Sequence, residues 1–229
     1  AFAALKHDGS VVTWGVSSYG GDSSSVSSDL TSGVKTIFST ESAFAALRYD
    51  GCVVTWGNSD SGGNSSGKDL TNVKTIFSNY YAFSALKDDG SVVTWGNVNY
   101  GGTAPTGLTN VKTIFSNLGS FAALKYDGSV VTWGSYPGTF GSPNPTFAPS
   151  SITNVKTIFS TQTAFAALKY DGSVVTWGEN SSGGDSSDKD LTNVKTIFSN
   201  KFAFAALNHD GSVVAWGYSS YGGDSSSVS

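Results

Sequence analysis

The stretch FAALKYDGSVVTWG, from Phe165 to Gly178, decides the fold because the chain repeats it six times with small changes. One tryptophan marks each copy, at intervals of 38 to 44 residues: Trp14, Trp56, Trp95, Trp133, Trp177 and Trp216. A period of this length indicates an array of similar structural units. The repeats begin near residues 1, 34, 73, 111, 155 and 194, and we expect residues 1–229 to form a single repeat domain.

Three segments of each repeat are predicted to be β-strands. The first has the sequence VKTIFS and occurs five times, and the second and third are the two halves of the quoted stretch, typically AFAALK and SVVTWG. β-Branched and aromatic residues, which favour strands, dominate the first and third segments. The Asp-Gly pair between the second and third segments predicts an antiparallel hairpin with a type I′ turn.

The predicted strands carry bulky side chains on both faces, as Val11 and Val12 beside Trp14 illustrate. A sheet that is apolar on both faces must be covered on both, and small sheets packed around an axis meet this requirement. The sequence therefore predicts an all-β fold. We expect a β-propeller of six or seven blades, in preference to a flat stacked solenoid.

The segment after each Trp-Gly must cross its blade to reach the next first strand, and it is long enough to do so. We therefore expect three to four antiparallel strands per blade, the fourth being an irregular outer strand such as Ser23–Leu30. The chain begins at the second strand of a repeat, so we expect it to be incomplete by at least one strand. It has no initiator methionine and no signal peptide, which is typical of a mature or truncated piece of a longer product.

The composition argues against several classes of partner. Charged residues make up 13% of the chain and the formal net charge is −4, a balance that disfavours nucleic acid. No apolar run approaches the roughly 18 residues of a membrane span, so we expect no membrane insertion. Cys52 is the single cysteine and cannot form an internal disulfide. It stands where the other repeats carry serine, and we interpret it as a substituted hairpin serine.

The titratable residues form no recognisable catalytic constellation, so we predict no catalytic residue, no metal site and no cofactor. His7 and His209 each precede an Asp-Gly pair, and we interpret them as exposed hairpin residues. The Asp-Gly aspartates are interpreted as turn residues. Ten of the 13 lysines and arginines fall at two repeated positions, in the first and second strands. We expect both sets to form ion pairs near the Asp-Gly turns, each contributing about 0 to 1 kcal/mol.

Comparison of the six copies separates a nearly constant frame from two variable loops, the turn between the first and second strands and the residues after Trp-Gly. Because neighbouring strands alternate in direction, both loops should lie at the same end of a blade. We expect the aromatic side chains in these loops to be exposed, and exposed aromatic residues suit protein interfaces and can stack on sugars. Neutral drift of tolerant loops is the competing interpretation. The candidate binding residues are Glu41, Tyr80, Tyr81, Leu118, Gln162, Lys201 and Phe202 in the first loop, and Tyr19, Tyr100, Tyr136 and Tyr221 in the second.

The segment from Trp-Gly to Gly-Gly, as at Trp14–Gly21 and Trp177–Gly184, resembles the signature of the regulator of chromosome condensation (RCC) repeat. That signature reads Trp-Gly-x-Asn-x-x-Gly-Gln and follows a small-Leu-Ala-Leu strand and a turn that ends in glycine. This chain departs from it by a second glycine in place of glutamine and by a Pro-rich insert after Trp133. The short repeats are more similar to the bacterial branch of the family, which includes a propeller-type β-lactamase-inhibitory protein.

The resemblance implies a propeller but not one function, because functions in the family range from nucleotide exchange to enzyme inhibition and surface display. In the inhibitory member the same loops carry the aromatic residues that grip the target. We predict a non-enzymatic binding or display module, extracellular or at a cell surface, that recognises a protein or a glycan through its aromatic variable loops. The alternatives are a secreted enzyme inhibitor and an enzyme with a site in the central channel. Asn64 and Asn180 begin glycosylation sequons, which matter only in a protein secreted by a eukaryote.

Overall fold

A computed structural model describes residues 1–135, 148, 149 and 152–226 of the chain. These residues form β-strands joined by turns and short 3-10 helices. The strands are β1 (Phe2–Leu5), β2 (Val11–Trp14), β3 (Val34–Ser39), β4 (Ala43–Arg48), β5 (Val53–Gly57), β6 (Val73–Ser78), β7 (Ala82–Lys87), β8 (Val92–Gly96), β9 (Val111–Ser116), β10 (Ser120–Lys125), β11 (Val130–Gly134), β12 (Val155–Ser160), β13 (Ala164–Lys169), β14 (Val174–Gly178), β15 (Val194–Ser199), β16 (Ala203–Asn208) and β17 (Val213–Gly217). The expected all-β fold is confirmed.

The described strands form one two-stranded sheet and five three-stranded sheets. Sheet 1 comprises β1 and β2, and each later sheet takes the next three strands in chain order, so that sheet 2 is β3–β5 and sheet 6 is β15–β17. The second strand of the repeat lies in the middle of every three-stranded sheet, as the predicted hairpins require. The chain divides into two compact units, Ala1–Ile114 and Phe115–Ser229. A single domain over residues 1–229 stays a prediction.

The Asp-Gly pair forms the predicted hairpin, but not with a type I′ turn. In the first repeat the Gly9 N–H donates to the Lys6 carbonyl at 3.0 Å and the Lys6 N–H donates to the Ser10 carbonyl at 2.8 Å. Gly9 has a φ of +79°, whereas Asp8 is outside the positive-φ region. A three-residue loop with one left-handed glycine is a type I turn followed by a bulge. The type I′ prediction was wrong because it required a positive φ at both residues.

The segment that crosses each sheet is not the expected fourth strand. Ser24–Leu30, inside the predicted strand Ser23–Leu30, forms two short 3-10 segments separated by a kink at Val26, whose φ is −125°. Within the described residues no strand pairs with the outer edge of a third strand. Instead, a threonine hydroxyl on the third strand lies 3.0 Å from a serine hydroxyl of the crossing segment, as in Thr13–Ser23. Glycine and aspartate, which are depleted in strands, recur in these segments and explain why no strand forms.

In the first unit, the Phe–Trp pairs of sheets 2 and 3 each pack against the preceding sheet. The rings of Phe44 and Trp56 stack with their centroids 5.3 Å apart, and the Trp56 indole N–H donates to the Gly20 carbonyl at 3.0 Å. A side chain at Gly20 would meet the Phe44 ring at 2.6 Å, so this contact requires glycine. Phe83 and Trp95 stack in the same way, and both are buried.

The second unit repeats this packing between sheets 5 and 6. Trp216 stacks on Phe204 and donates its indole N–H to the Gly183 carbonyl at 3.1 Å. Phe159 on the first strand of sheet 5 packs into the same core, beside Ile197 of sheet 6. A sheet with a neighbour on each side therefore contributes one face to each of two cores, as the two-sided apolar pattern predicts.

Candidate functional site

The two variable loops of a repeat meet at one end of its sheet. In sheet 3 the Asn79 side-chain amide donates to the Tyr100 carbonyl at 2.6 Å, which ties the turn between the first and second strands to the 3-10 turn after Trp-Gly. Equivalent bonds at 2.7 to 3.0 Å run from Thr40 to Ser61, from Thr161 to Ser182 and from Asn200 to Tyr221. Within each unit, the expected placement of both loops at the same end is confirmed.

The first residue of the turn belongs to the frame rather than to the variable surface. The Asn79 side-chain oxygen accepts the backbone N–H groups of Tyr81 and Ala82 at 3.0 and 2.8 Å. The Thr161 hydroxyl oxygen plays the same part, accepting the Ala164 N–H at 3.1 Å. Only asparagine and threonine occupy this position: Thr40, Asn79, Asn117, Thr161 and Asn200. Variation therefore begins at the next residue of the turn.

The middle residues of these turns are joined by backbone hydrogen bonds from sheet to sheet. In the first unit the Glu41 N–H donates to the Tyr80 carbonyl at 3.0 Å. In the second unit the Leu118 N–H donates to Gln162 at 2.9 Å, and the Gln162 N–H donates to Lys201 at 2.8 Å. The backbone is thus held where the side chains differ most between copies.

Four candidate residues of the first unit come together at this end, and we call them the tyrosine cluster: Glu41, Tyr80, Tyr81 and Tyr100. The Tyr81 ring packs edge to face against Tyr80 and Tyr100, with centroid distances of 4.7 and 4.6 Å. The Tyr80 hydroxyl donates to a Glu41 carboxylate oxygen at 2.5 Å. Tyr80 is 39% exposed, while Tyr81 and Tyr100 are half-buried and less exposed than expected.

A second aromatic group, which we call the phenylalanine cluster, lies in the second unit and comprises Lys201, Phe202, Tyr218 and Tyr221. The Phe202 ring centroid is 4.7 Å from that of Tyr221 and 6.3 Å from that of Tyr218. The Lys201 ammonium lies 5.0 Å from the centre of the Phe202 ring, within cation–π range. Tyr218 was not among the candidates. The sequence feature that could have identified it is its position: Tyr218 is an aromatic residue directly after Trp-Gly, where the other copies carry Val, Asn, Ser or Glu.

The remaining candidate residues are not gathered into either cluster. Tyr19 is exposed and makes no ring contact within the described residues. Leu118 and Gln162 are half-buried and take part in the backbone bonds between turns. Tyr136 lies outside the described residues.

The opposite, hairpin end of the sheets carries paired charges. In four repeats the second-strand cation lies 3.2 to 3.8 Å from the aspartate of its own hairpin: Lys6–Asp8, Arg48–Asp50, Lys125–Asp127 and Lys169–Asp171. Lys87 pairs instead with Asp69 at 2.7 Å. The ion pairs expected for this set are confirmed. The ion pairs expected for the first-strand lysines do not form within the described residues. These lysine side chains are exposed and have no carboxylate within 4.0 Å.

The hairpin aspartates are held in the ionised form. Hydrogen bonds from the Ser10 hydroxyl and N–H, with Lys6 nearby, lower the pKa of Asp8 to about 2. Bonds from Lys87 and from Thr71 lower the pKa of Asp69 to about 2. The pKa of Asp50 is lowered chiefly by the backbone N–H of Cys52, which occupies the serine position as interpreted. These carboxylates accept hydrogen bonds that shape the turns.

The histidines and other metal-binding side chains considered in the sequence do not form a metal site among the residues that the structure describes. His7 and His209 are exposed, as interpreted from the sequence. In residues 1–135, 148–149 and 152–226, no three histidine, cysteine, aspartate or glutamate side chains are arranged to hold a metal ion. The same residues include no helix with the length and apolar character needed to cross a membrane.

No protein-family model matches this sequence, and no curated protein matches it. Solved structures do resemble it. The chain superposes on human WBSCR16 with a TM-score of 0.52 and 17% identity, covering 80% of this chain and 61% of that one. The ectodomain of the Physcomitrella patens receptor kinase CR4 gives a TM-score of 0.50 and 17% identity, covering 81% and 50%.

Prp20p from Saccharomyces cerevisiae, whose structure was described with its binding to Gsp1p and histones, is also similar, with a TM-score of 0.49 and 18% identity over 76% of this chain and 55% of Prp20p. The chain thus spans between half and about three fifths of the length of these structures. At such low identity, the likeness to WBSCR16 and to the CR4 ectodomain concerns the fold alone: an array of small antiparallel β-sheets.

Proposed function

We propose that this chain is a protein-binding module whose binding surface is built from the variable loops at one end of its sheets. One observation carries the proposal: side chains that differ between otherwise similar repeats assemble into aromatic clusters on a hydrogen-bonded backbone. The tyrosine cluster brings Glu41 of sheet 2 to Tyr80 of sheet 3. Neutral drift would vary these side chains, but it does not favour packed aromatic rings joined by a side-chain hydrogen bond to the adjacent repeat.

The chemistry of the tyrosine cluster suits protein recognition. Tyrosine offers a large, partly apolar surface and a hydroxyl group, and it loses little conformational entropy on binding because it has two side-chain torsions. The Glu41 carboxylate orients the Tyr80 ring, and the Tyr81 ring supports it from the side. A partner would therefore meet a preformed surface, which lowers the entropic cost of association.

The proposal includes a finer view of the fold and of the cellular setting. We take the sheets to be blades of an RCC-type propeller with six or seven blades, which the repeated strand order and the Phe–Trp packing support. We also take the module to be non-enzymatic and to act outside the cell or at its surface. An enzyme inhibitor is a special case, in which the captured partner is an enzyme whose activity falls on binding. A glycan ligand is the alternative that the same surface would accommodate.

The test compares two doubly substituted chains as baits for partner capture. Tyr80→Ala with Tyr81→Ala removes two of the three aromatic rings of the tyrosine cluster. Tyr49→Ala with Tyr126→Ala is the matched control, because these tyrosines are more exposed but lie at the hairpin end. Proteins retained by the wild-type chain and by the control, identified by mass spectrometry, should be lost from the first variant. Their binding should weaken about tenfold or more in titrations with the purified partner.

Thermal unfolding of both variants shows whether the fold is kept. If the Tyr80/Tyr81 variant is folded and retains every partner, the proposed surface is wrong. The outcome is different if neither the wild-type chain nor the control retains any protein. If the wild-type chain then binds to a glycan array and this binding requires Tyr80 and Tyr81, the partner is a carbohydrate instead of a protein.

A further inference from the structure

The hairpin end of sheets 5 and 6 contains a small polar cavity, which we call the basic cavity. Its volume is about 190 Å³. Sites for drug-sized ligands are larger, roughly 300 to 1,000 Å³. The charged and titratable side chains that line it come from both sheets: Lys156, Lys169, Asp171, Lys195 and His209. Its size and polarity suit a small ion.

A β-bulge sets the first-strand lysines of this cavity apart from the strand ladder. The two neighbours of Lys156 pair with consecutive residues of β13, so Lys156 is the extra residue of a bulge. Lys195 is the extra residue of the same bulge in sheet 6. Bulges commonly re-aim a side chain next to a site. Both lysines are exposed, and among the described residues neither has a carboxylate within 4.0 Å, so their charge is available to a ligand.

Backbone hydrogen bonds hold the walls of the basic cavity in place. The Val194 N–H of sheet 6 donates to the Gly172 carbonyl in the hairpin of sheet 5 at 2.9 Å. The His209 N–H donates to the Asn193 carbonyl, just before the first strand of sheet 6, at 3.1 Å. The cavity is therefore formed before a ligand arrives, which lowers the entropic cost of binding.

The basic cavity carries an excess of positive charge. Among the described residues one carboxylate lines it, and this carboxylate already has a partner, because Asp171 lies 3.5 Å from Lys169 in an ion pair. The charges of Lys156 and Lys195 are left over. His209 adds an N–H donor and no negative charge. Lysine ammonium groups bind phosphate oxygens as point charges, so this set of side chains suits an oxyanion.

An equivalent cavity between sheets 2 and 3 provides an internal comparison, with a volume of about 230 Å³. Its three cations occupy the same repeat positions: Lys35, Arg48 and Lys74. The position of His209 is taken here by Asp88. Two carboxylates, Asp50 and Asp88, therefore oppose the three cations, and this cavity is less suited to an anion.

We propose that the basic cavity binds a small free anion of the phosphate class through Lys156, Lys195 and His209. A free anion fits better than a nucleic acid, because the formal net charge of −4 repels an extended polyanion while a small ion meets the local cations. Lysines on edge strands also discourage pairing with other strands. That role alone gives no reason for the two cavities to differ in anion binding.

Isothermal titration calorimetry with inorganic pyrophosphate in low salt tests this proposal. The wild-type chain should bind one pyrophosphate. Lys195→Gln and His209→Asp should each weaken the binding about tenfold or more, because each removes a donor to the anion and His209→Asp also adds a negative charge. His7→Asp is the matched control, since it makes the same change at the equivalent hairpin position of sheet 1, outside the basic cavity. The control should bind like the wild-type chain.

Asp88→His gives the cavity of sheets 2 and 3 the pattern of the basic cavity and should raise the stoichiometry from one pyrophosphate to two. Circular dichroism establishes that each variant is folded, and Lys156→Gln replaces any variant that is not. No binding to the wild-type chain, or equal weakening by His7→Asp, overturns the proposal. Binding of a short DNA duplex without binding of pyrophosphate replaces the free anion by a polyanion and overturns it too. A single site in folded Asp88→His contradicts the role given to His209.

Discussion

Ser84 shows how a single residue can depart from the repeat at a cost in stability. It occupies the position at which the other copies carry alanine: Ala3, Ala45, Ala122, Ala166 and Ala205. Its side chain is 0% exposed, and its hydroxyl has no hydrogen-bond partner among the described residues. A buried polar group without a partner loses its bonds to water and gains nothing in exchange. The sequence alone does not reveal this cost, because the burial of that hydroxyl depends on how the sheets pack.

We predict that Ser84→Ala stabilises the protein by about 1 kcal/mol, because it removes the unsatisfied hydroxyl. The melting temperature, measured by differential scanning calorimetry, should rise by roughly 2–4 °C. Ala45→Ser, which introduces a hydroxyl at the same repeat position in sheet 2, is the matched control and should lower it by a similar amount. A lower melting temperature for Ser84→Ala would mean that the hydroxyl is bonded after all.

At the scale of elements, the strands were predictable and the connections were less so. The VKTIFS and SVVTWG segments form strands because their β-branched and aromatic residues suit a pleated sheet on either face. The Asp-Gly pair correctly predicts a hairpin, but the same dipeptide fits both a two-residue and a three-residue loop. The length of the loop depends on the register between the two strands, and the sequence of one repeat does not reveal that register. The crossing segment Ser23–Leu30 was misassigned because its length is compatible with a strand, although five of its eight residues are serines and only Val26 and Leu30 are apolar.

The turn between the first and second strands provides the element-scale prediction. Asn79→Ala removes three hydrogen bonds, to Tyr81, Ala82 and Tyr100, and should destabilise the protein by about 1–3 kcal/mol. Asn79→Thr should cost less than half as much, because Thr161 holds the equivalent turn with its hydroxyl. The free energy of unfolding, measured by chemical denaturation, checks both variants, and the melting temperature provides a second measure. Equal losses for alanine and threonine would show that the side-chain bonds do not anchor this turn.

At the scale of the whole molecule, the candidate site combines predictable and unpredictable parts. The variable loops and most of their aromatic residues could be identified by comparing the copies. Their grouping could not, because the Tyr80–Glu41 bond joins two repeats and depends on the packing of neighbouring sheets. Tyr19 and Tyr80 look alike in sequence, yet only Tyr80 has a ring neighbour within the described residues. Contact between repeats, rather than the composition of one repeat, therefore determines which aromatic residues act together.

The repeated aspartates give the whole molecule a predictable response to acid. Hydrogen bonds and nearby cations lower the pKa of carboxyls throughout the chain, in two cases to about 2: Asp8, Asp22, Asp50, Asp69, Asp89, Asp127, Asp171, Asp185, Asp210 and Asp224. Because each folded pKa lies below the unfolded value, the unfolded chain binds protons first as the pH falls. This stabilisation is complete above about pH 5 and is lost as the pH falls through the folded pKa values, down to about 2.

The melting temperature, followed by circular dichroism, should therefore be nearly constant from about pH 7 to 5 and should fall steadily between about pH 4 and 2. Ser10→Ala with Ser91→Ala removes the hydroxyl bonds to Asp8 and Asp89, which raises the pKa of both carboxyls towards the ordinary value. That variant should lose less stability over the acid range than the wild-type chain, although it starts from a lower melting temperature at neutral pH. Identical acid profiles for the two proteins would mean that the hairpin hydroxyls do not stabilise the ionised aspartates, and that the acid response arises elsewhere in the chain.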